Sequence, residues 1–484
     1  MNLESLIAEN TLLKQEIAIL KHELAELKRL IFGAKSERFT PVIPPVNQMS
    51  LFDVTQDGPL MAEAEKEQIT YERTKQNKPH PGRNGIPAHF PVEETIIEPQ
   101  TDTTDMVRIG EEVTEYVEYT PGCLKKIRLI RPKYANKQAE GSVLIAPLPV
   151  RALPKSIAGV SLISYIIVRK FVEHMPFYRQ IQAFDRDYQW QIPSSTINDW
   201  FVSVCTMLEP LYELLKQKVL DSGYMQVDES PIQVLDNNNK KGSSHKGYQW
   251  VYHSPEEKLL FFDYHKGRDT EGPKRILEKY IGLLQSDGYN VYDTIAKQKS
   301  ITIAACLVHV RRYFYKAKDN DKQRAEHALS IFNAIYKKES EYKAISADER
   351  KAQRETHIHP SLTELKIWAD VESKKVLPQS PIGKAIEYLK TQWPKIEELF
   401  NNGRYELDNN LIENKIRPLA LGRKNYLFAG SHEGAQRIAM MYSFLGTCAA
   451  NDVNPMTWLT DTLEKINDTK IKDLAELLPT KSRS

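Results

Sequence analysis

The sequence predicts a multidomain chain of α+β and α/β parts. An N-terminal coiled coil comes first, then a small β module, a helix-turn-helix region, and a mixed α/β core with a helical insertion. Three observations carry this. A seven-residue apolar repeat runs from Leu3 to Ile31. Between 223 and 317, three consecutive strand-like runs give way to alternating helix and strand patterns. The stretch 320–405 is helical, charged and poor in strand signals, as an insertion would be. At 484 residues the chain is also too long for one ordinary domain.

In the coil, predicted over 1–39, Leu6, Leu13, Leu20 and Leu27 occupy d positions, and Leu3, Asn10, Ile17, Leu24 and Ile31 occupy a positions. β-branched residues at a with Leu at d favour two parallel strands, and Asn10 would fix the register. The expected result is a homodimer or higher oligomer, the alternative being a helix docked on the protein's own core. Residues 40–94 read as a linker, rich in proline and charge and ending in HPGRNGIPAHFP (80–91). Residues 95–150 alternate apolar and polar side chains, as in VTEYVEYTP (113–121) and KKIRLIRPKY (125–134), and read as a small β-rich module.

Residues 151–220 switch to a helical period. An apolar helix is expected near Val160 to Val172, then a turn near Pro176, a short helix, and IPSSTINDWF (192–201). Ser194 or Ser195 can cap a second short helix carrying Thr196 and Asn198. This arrangement resembles a helix-turn-helix, with Thr196 and Asn198 as DNA contacts; an ordinary helical hairpin has the same spacing.

From 221 to 319 the core begins. GYMQVDESPIQVL (223–235), GYQWVYHS (247–254) and KLLFFDYH (258–265) read as strands. A helix near Glu271 to Tyr280 leads to a buried strand ending at Asp287. ITIAACLVHVRRYFYKA (301–317) is a fifth strand running into a basic helix. After the insertion, 406–450 returns to the core through DNNLIENKIRP, and 451–484 reads as a helical tail.

Three separated carboxylates stand out in this frame: Asp228 after the apolar run Gly223 to Val227, Asp287 at the end of a later strand, and Glu413 on a late helix. Phosphodiester transfer by Mg2+ or Mn2+ needs oxygen ligands that converge on one or two ions from rigid elements. In open α/β sheets such sites form at strand ends. Spacing alone decides nothing among 64 acidic residues, and Asp236, Asp263, Asp269 and Asp293 compete. An acid after a strand is also an ordinary turn residue. What favours the triad is an element order resembling a ribonuclease-H-like fold, with acids after its first and fourth strands.

Composition narrows the class. No run of about 18 apolar residues exists, so no membrane span is expected. The acidic, heptad-patterned N-terminus is unlike a secretory signal. Cys123, Cys205, Cys306 and Cys448 form no CxxC pair, which points to a reducing, cytoplasmic setting. A formal net charge of +2 leaves DNA binding open, since basic residues can gather on one face.

At these residues the chain resembles the large transposase of the insertion-sequence 66 family. The matching strings are FGAKSER (32–38), GRNGIPAH (82–89), IGEEVTEYVEYTPGCLKKIRLIRPKYA (109–135), YMQVDESPIQVLD (224–236), LQSDGYNVYD (284–293), CLVHVRRYFYKA (306–317) and DNNLIENKIRPLALGRKNYLFAGS (408–431). The resemblance covers nearly the whole chain. It implies a ribonuclease-H-like DDE core, two divalent ions, and hydroxyl attack on DNA phosphodiesters at terminal inverted repeats and target. It carries the triad onto Asp228, Asp287 and Glu413, and small accessory proteins accompany similar elements. One departure stands out. Similar proteins carry a zinc module with two CxxC pairs, and here the second pair falls on Asn136 and Ala139. Structural zinc needs about four ligands, so zinc is expected to be absent.

Phosphate chemistry also needs cations. Arg311, Arg312 and Lys316 follow the fifth strand, and Arg417, Arg423 and Lys424 follow Glu413. These are the expected DNA-backbone contacts. His309 could assist proton transfer or be a structural histidine, and Tyr426 and Phe428 could meet a splayed base or fill the core. A nucleoid-associated transposase is the expectation. A catalytically silent DNA-binding protein and a structure-selective nuclease on the same fold are the alternatives.

Overall fold

The computed structural model describes residues 122, 124–128, 133–135, 143–145, 151–154, 156–235, 244–297 and 301–480. The predicted coil and linker, Cys123 and Asp236 lie outside them. The chain divides into two compact units. In one, β1 (Lys133–Ala135) pairs antiparallel with β2 (Val143–Ile145), within the predicted β-rich module. The other holds the described residues from 151 onward.

That unit is built on five strands: β3 (Tyr224–Leu235), β4 (Ser244–Ser254), β5 (Leu259–His265), β6 (Gly282–Gln285) and β7 (Ile301–Ala304). Their spatial order is β5-β4-β3-β6-β7. The β3–β4 and β4–β5 pairs are antiparallel, and the β3–β6 and β6–β7 pairs are parallel. Within this sheet β4 alone opposes the common direction. The order of elements agrees with the sequence reading and fits the ribonuclease-H-like core that the resemblance implies.

Thirteen α-helices are present among the described residues. Three precede the sheet: α1 (Val160–Phe171), α2 (Phe177–Tyr188) and α3 (Ser194–Leu220). Here the structure departs from expectation. The helix expected to be short runs for 27 residues, and Pro193 stands at its N-cap without a side-chain cap bond. Ser194 and Ser195 are instead its first residues. Its apolar positions Ile197, Phe201, Val204, Leu208, Leu211, Leu215 and Val219 recur at helical spacing and are buried, so tertiary packing carries it past a local stop signal. Side chains of α1, α2 and α3 share one buried cluster with β4 and β5.

The edge strand β5 would expose unpaired backbone groups. Two helices satisfy them. The Tyr212 hydroxyl on α3 donates to the Phe262 carbonyl at 2.5 Å. On α12 (His432–Ala450), Ser443 Oγ accepts from Phe262 N at 2.8 Å, and Thr447 Oγ1 donates to Leu260 O at 3.2 Å. Hydroxyl side chains thereby extend the hydrogen bonding of the sheet beyond its edge.

Beyond β6, short helices α4 (Glu271–Leu277) and α5 (Asn290–Ala296) lead in and out of the strand, and α6 (Leu307–Lys316) follows β7. The helical stretch expected over 320–405 is present as α7 (Lys322–Glu341), α8 (Ala347–His357), α9 (His359–Glu372) and α10 (Pro381–Glu397). It packs on α6, with Phe314, Phe332, Leu365 and Leu389 in a second apolar cluster. Arg354 is fully buried there and bonds both carboxylate oxygens of Glu339, at 2.9 and 2.6 Å. The chain then returns through α11 (Asn410–Tyr426), α12 and α13 (Pro455–Lys465). No helix among the described residues is long and apolar enough to cross a membrane.

Candidate active site

The register of the two central strands positions the first two carboxylates. Gln226 pairs with Gln285 in the parallel β3–β6 ladder. Asp228 stands two residues further along β3, and Asp287 two residues beyond the end of β6, both just past the last pair of the parallel ladder. The pairing starts from a close backbone approach: Leu283 N donates to Gly223 O at 2.9 Å, and a Cβ on Gly282 would meet that same oxygen at 2.2 Å. Only glycine fits at 282, where φ is also +147°.

Asp228 differs from expectation in one respect. It stands inside β3, which continues to Leu235 along β4. Its position is a strand end only with respect to β6. Asp287 lies two residues beyond β6 in a tight turn, where its Oδ1 accepts from Tyr289 N at 3.0 Å. Its carbonyl accepts from the Tyr388 hydroxyl at 2.8 Å, and Tyr388 stacks on Tyr313 with ring centroids 4.2 Å apart. Tyr388 belongs to α10, so the helical insertion braces the site from outside.

Glu413 stands in the first turn of α11. Its carboxylate lies 3.8 Å from His309 Nε2 and 3.7 Å from Arg312 Nη2, both on α6. A buried amide network fixes the approach to α11. Gln285 Oε1 accepts from the Tyr224 hydroxyl (2.8 Å) and from Gln226 Nε2 (3.0 Å). Its Nε2 donates to the carbonyls of Ala305 (3.1 Å) and Glu406 (2.9 Å). Gln226 Nε2 also donates to Asp408 O at 3.0 Å. One glutamine therefore ties β3, β6, the end of β7 and the segment entering α11. This network lies behind the carboxylates and was not foreseen, because nothing in a sequence marks a Gln on a strand as a hub.

Asp287 and Glu413 both lie near enough to act on the Asp228 carboxyl. The Asp228 carboxyl is pushed up to about 8, first by burial, then by Glu229, Asp287 and Glu413. Its Oδ1 accepts from Glu229 N at 2.7 Å, which opposes the rise. Burial also raises Glu229, against its ion pair with Arg268. Burial pushes Asp408 up to about 6. Burial and the adjacent Arg312 lower His309, and its Nδ1 lacks a hydrogen-bond partner. Such accumulated negative charge is relieved by a cation.

The three competing acids among the described residues have other partners. Asp263 is buried against Arg275, Asp293 pairs with Lys395 at 2.7 Å, and Asp269 lies 3.7 Å from His265. The six cations divide by exposure. Lys316, Arg417 and Lys424 are exposed, and Arg311, Arg312 and Arg423 are half-buried. Arg312 faces Glu413, and Arg423 donates to Ser230 Oγ at 2.8 Å and to Pro231 O, binding α11 to β3. Thr196 and Asn198 lie in the first turn of α3, where Asn198 Nδ2 donates to Ser194 O at 2.7 Å.

The donor set suits a hard divalent cation, because it is all carboxylate oxygen. Among the described residues no group of three or more His, Cys, Asp or Glu side chains is placed to hold a metal ion as it stands. That is compatible with Mg2+, which is usually held by one or two carboxylates and completed by waters and substrate phosphate.

A mixed sheet in this order, with one carboxylate on its central strand, a second just beyond the neighbouring strand and a third on a late helix, fits the core of a DDE-type transposase. The chain belongs to the Transposase IS66 family, whose model matches residues 155–437. An IS66 C-terminal element matches 443–480, and a model described as Transposase C of IS166 homeodomain matches 19–95. Uncharacterized protein y4jD of Sinorhizobium fredii is 29% identical over 487 residues, covering 96% of this chain and 95% of the relative. Uncharacterized protein y4hP of the same organism is 29% identical over 498 residues, covering 96% and 88%.

Proposed function

We propose that the protein cuts and joins DNA strands at the ends of an insertion sequence, using Asp228, Asp287 and Glu413 as ligands for two divalent ions, Mg2+ or Mn2+. The β3–β6 register, which ends two residues before both Asp228 and Asp287, and the action of Asp287 and Glu413 on the Asp228 carboxyl support this reading best. Ions held there would lower the pKa of an attacking hydroxyl and offset charge on the phosphate.

The protein's own groups do the rest. Arg312 beside Glu413 offsets carboxylate charge before DNA arrives and then faces the phosphate. His309, neutral through burial and its cationic neighbour, takes or returns a proton at the attacking or leaving oxygen. Arg311, Lys316, Arg417 and Lys424 follow the DNA backbone from α6 and α11, giving affinity that falls with salt. Arg423 contributes by holding α11 on β3. Thr196 and Asn198 contact DNA from the first turn of α3. The N-terminal heptads assemble a dimer or higher oligomer, so that two element ends can be held together, and zinc plays no part.

The test uses DNA carrying the sequences that flank the coding region. With Mg2+ or Mn2+, nicked ends and joined products are expected, and pre-cleaved ends should also be joined. Cleavage without joining would make the protein a nuclease. DNA binding without either would make it a silent assembly protein.

A further inference from the structure

The C-terminal end of α11 carries a feature that the catalytic reading does not use. Leu427 and Phe428 are 63% and 44% exposed, although both are large and apolar. They are not a loose loop. Leu427 N donates to Arg423 O at 2.9 Å, and Phe428 N donates to Tyr426 O at 2.8 Å. Ala429, which follows directly, is buried and forms a parallel bridge with Val234: its N–H donates to Gln233 O at 2.8 Å, and its carbonyl accepts from Leu235 N at 2.9 Å. The two side chains are thus held outward between a helix end and a sheet strand. Leu427 adopts φ +64°, ψ −46°, which is unfavourable for a bulky residue. Solvent-facing apolar side chains bring no burial energy to offset such strain, so the neighbouring structure imposes it.

Two exposed cations stand on the elements that carry the tip or touch it. Lys424 is exposed on the last turn of α11. Arg179, on α2, is exposed, lies over the Tyr178 ring at 5.7 Å and donates to Asn425 Oδ1 at 3.3 Å. A rigid apolar tip within a cationic rim complements a polyanion that also presents flat apolar faces, and DNA with an exposed base has both.

We propose that Leu427 and Phe428 form a wedge that stacks on bases of an opened DNA end, with Lys424 and Arg179 on the adjoining phosphates. The proposal rests on the DNA-cleaving reading. The tip stands beside Gln233, five residues along β3 from Asp228, or roughly 17 Å at strand rise. That is about five base steps at 3.4 Å each. The opened bases would therefore flank the scissile phosphate rather than contain it.

The test is a binding measurement, so it does not depend on cleavage. Two duplexes of one sequence are compared, one fully paired and one forked, each with 2-aminopurine at the junction position. The full-length protein should prefer the forked duplex. The double variant Leu427→Ser/Phe428→Ser should lose about tenfold in affinity for the fork, the effect of losing one stacked base. It should keep its affinity for the paired duplex and lose the change in 2-aminopurine emission. Equal weakening on both duplexes, or unchanged binding to the fork, would overturn the proposal. So would a fall in oligomeric state with DNA affinity unchanged, which would assign the tip to a second copy of the chain. An inactive wild-type protein that still unstacks the fork would refute the catalytic reading and leave the wedge standing.

Discussion

Replacing Asp228 with Asn should stabilise the metal-free protein while abolishing metal-dependent cleavage. The folded carboxyl is held near 8, and the unfolded one ionises near 3.8. Below 3.8 both states are protonated and the group costs nothing. Between 3.8 and 8 the folded state keeps a proton that the unfolded state has lost. Stability therefore falls as pH rises through that window and levels off above it. At 1.36 kcal/mol per pH unit the ceiling at pH 7 is on the order of 4 kcal/mol. Asp228 retains some contact with water, so about half of that is the expected effect. Asn keeps an oxygen for the Glu229 N–H and does not titrate. In a body of this size about 2 kcal/mol corresponds to a rise of about 3 °C in Tm. Thermal melts with chelator at pH 5, 6, 7 and 8 measure it. The variant should already melt slightly higher at pH 5, and the gap should widen steadily to pH 8. A variant equal to or below wild type at pH 8, or a gap independent of pH, would refute this account of the charge cluster.

Four further substitutions separate anchoring from contact. Arg423→Ala should cost about 1.5–3 kcal/mol of stability in denaturant titration, through its bonds to Ser230 and Pro231. Lys424→Ala should leave stability unchanged and reduce the salt dependence of DNA binding by about one unit of slope. Gln285→Leu should cost about 2–4 kcal/mol by orphaning the carbonyls of Ala305 and Glu406, and cleavage should fall with it as α11 loosens. Arg354→Ala should cost about 1.5–3 kcal/mol, because Glu339 loses its fully buried partner and keeps only Arg350, at 2.6 Å.

The strands between 223 and 304 were legible because their apolar runs are short and bounded by turns, and their sequential connections leave few topologies. Asp228 and Asp287 were legible as acids at strand ends, although Asp228 proves to be internal to β3. Its partner strand on one side simply stops earlier than on the other. The length of α3 was hidden because Ser194 and Ser195 resemble caps, and burial against β5 overrides that local signal. The rest of the site was hidden for a different reason. Tyr388 reaches Asp287 across 101 residues, and Glu406 reaches Gln285 across 121. Contacts of that range leave no periodicity to read. The division of cations into anchors such as Arg423 and surface groups such as Lys424 depends on which side of α11 each occupies. The sequence places both one after the other.

The central claim is that Asp228, Asp287 and Glu413 together hold divalent ions. The direct measurement is Mn2+ binding to the full-length protein, followed by electron paramagnetic resonance, for wild type and for Asp228→Asn, Asp287→Asn and Glu413→Gln. Wild type should bind two ions, with each substitution removing at least one, and Asp263→Asn should bind as wild type does. Retention of both ions by any of the three triad variants would contradict the assignment.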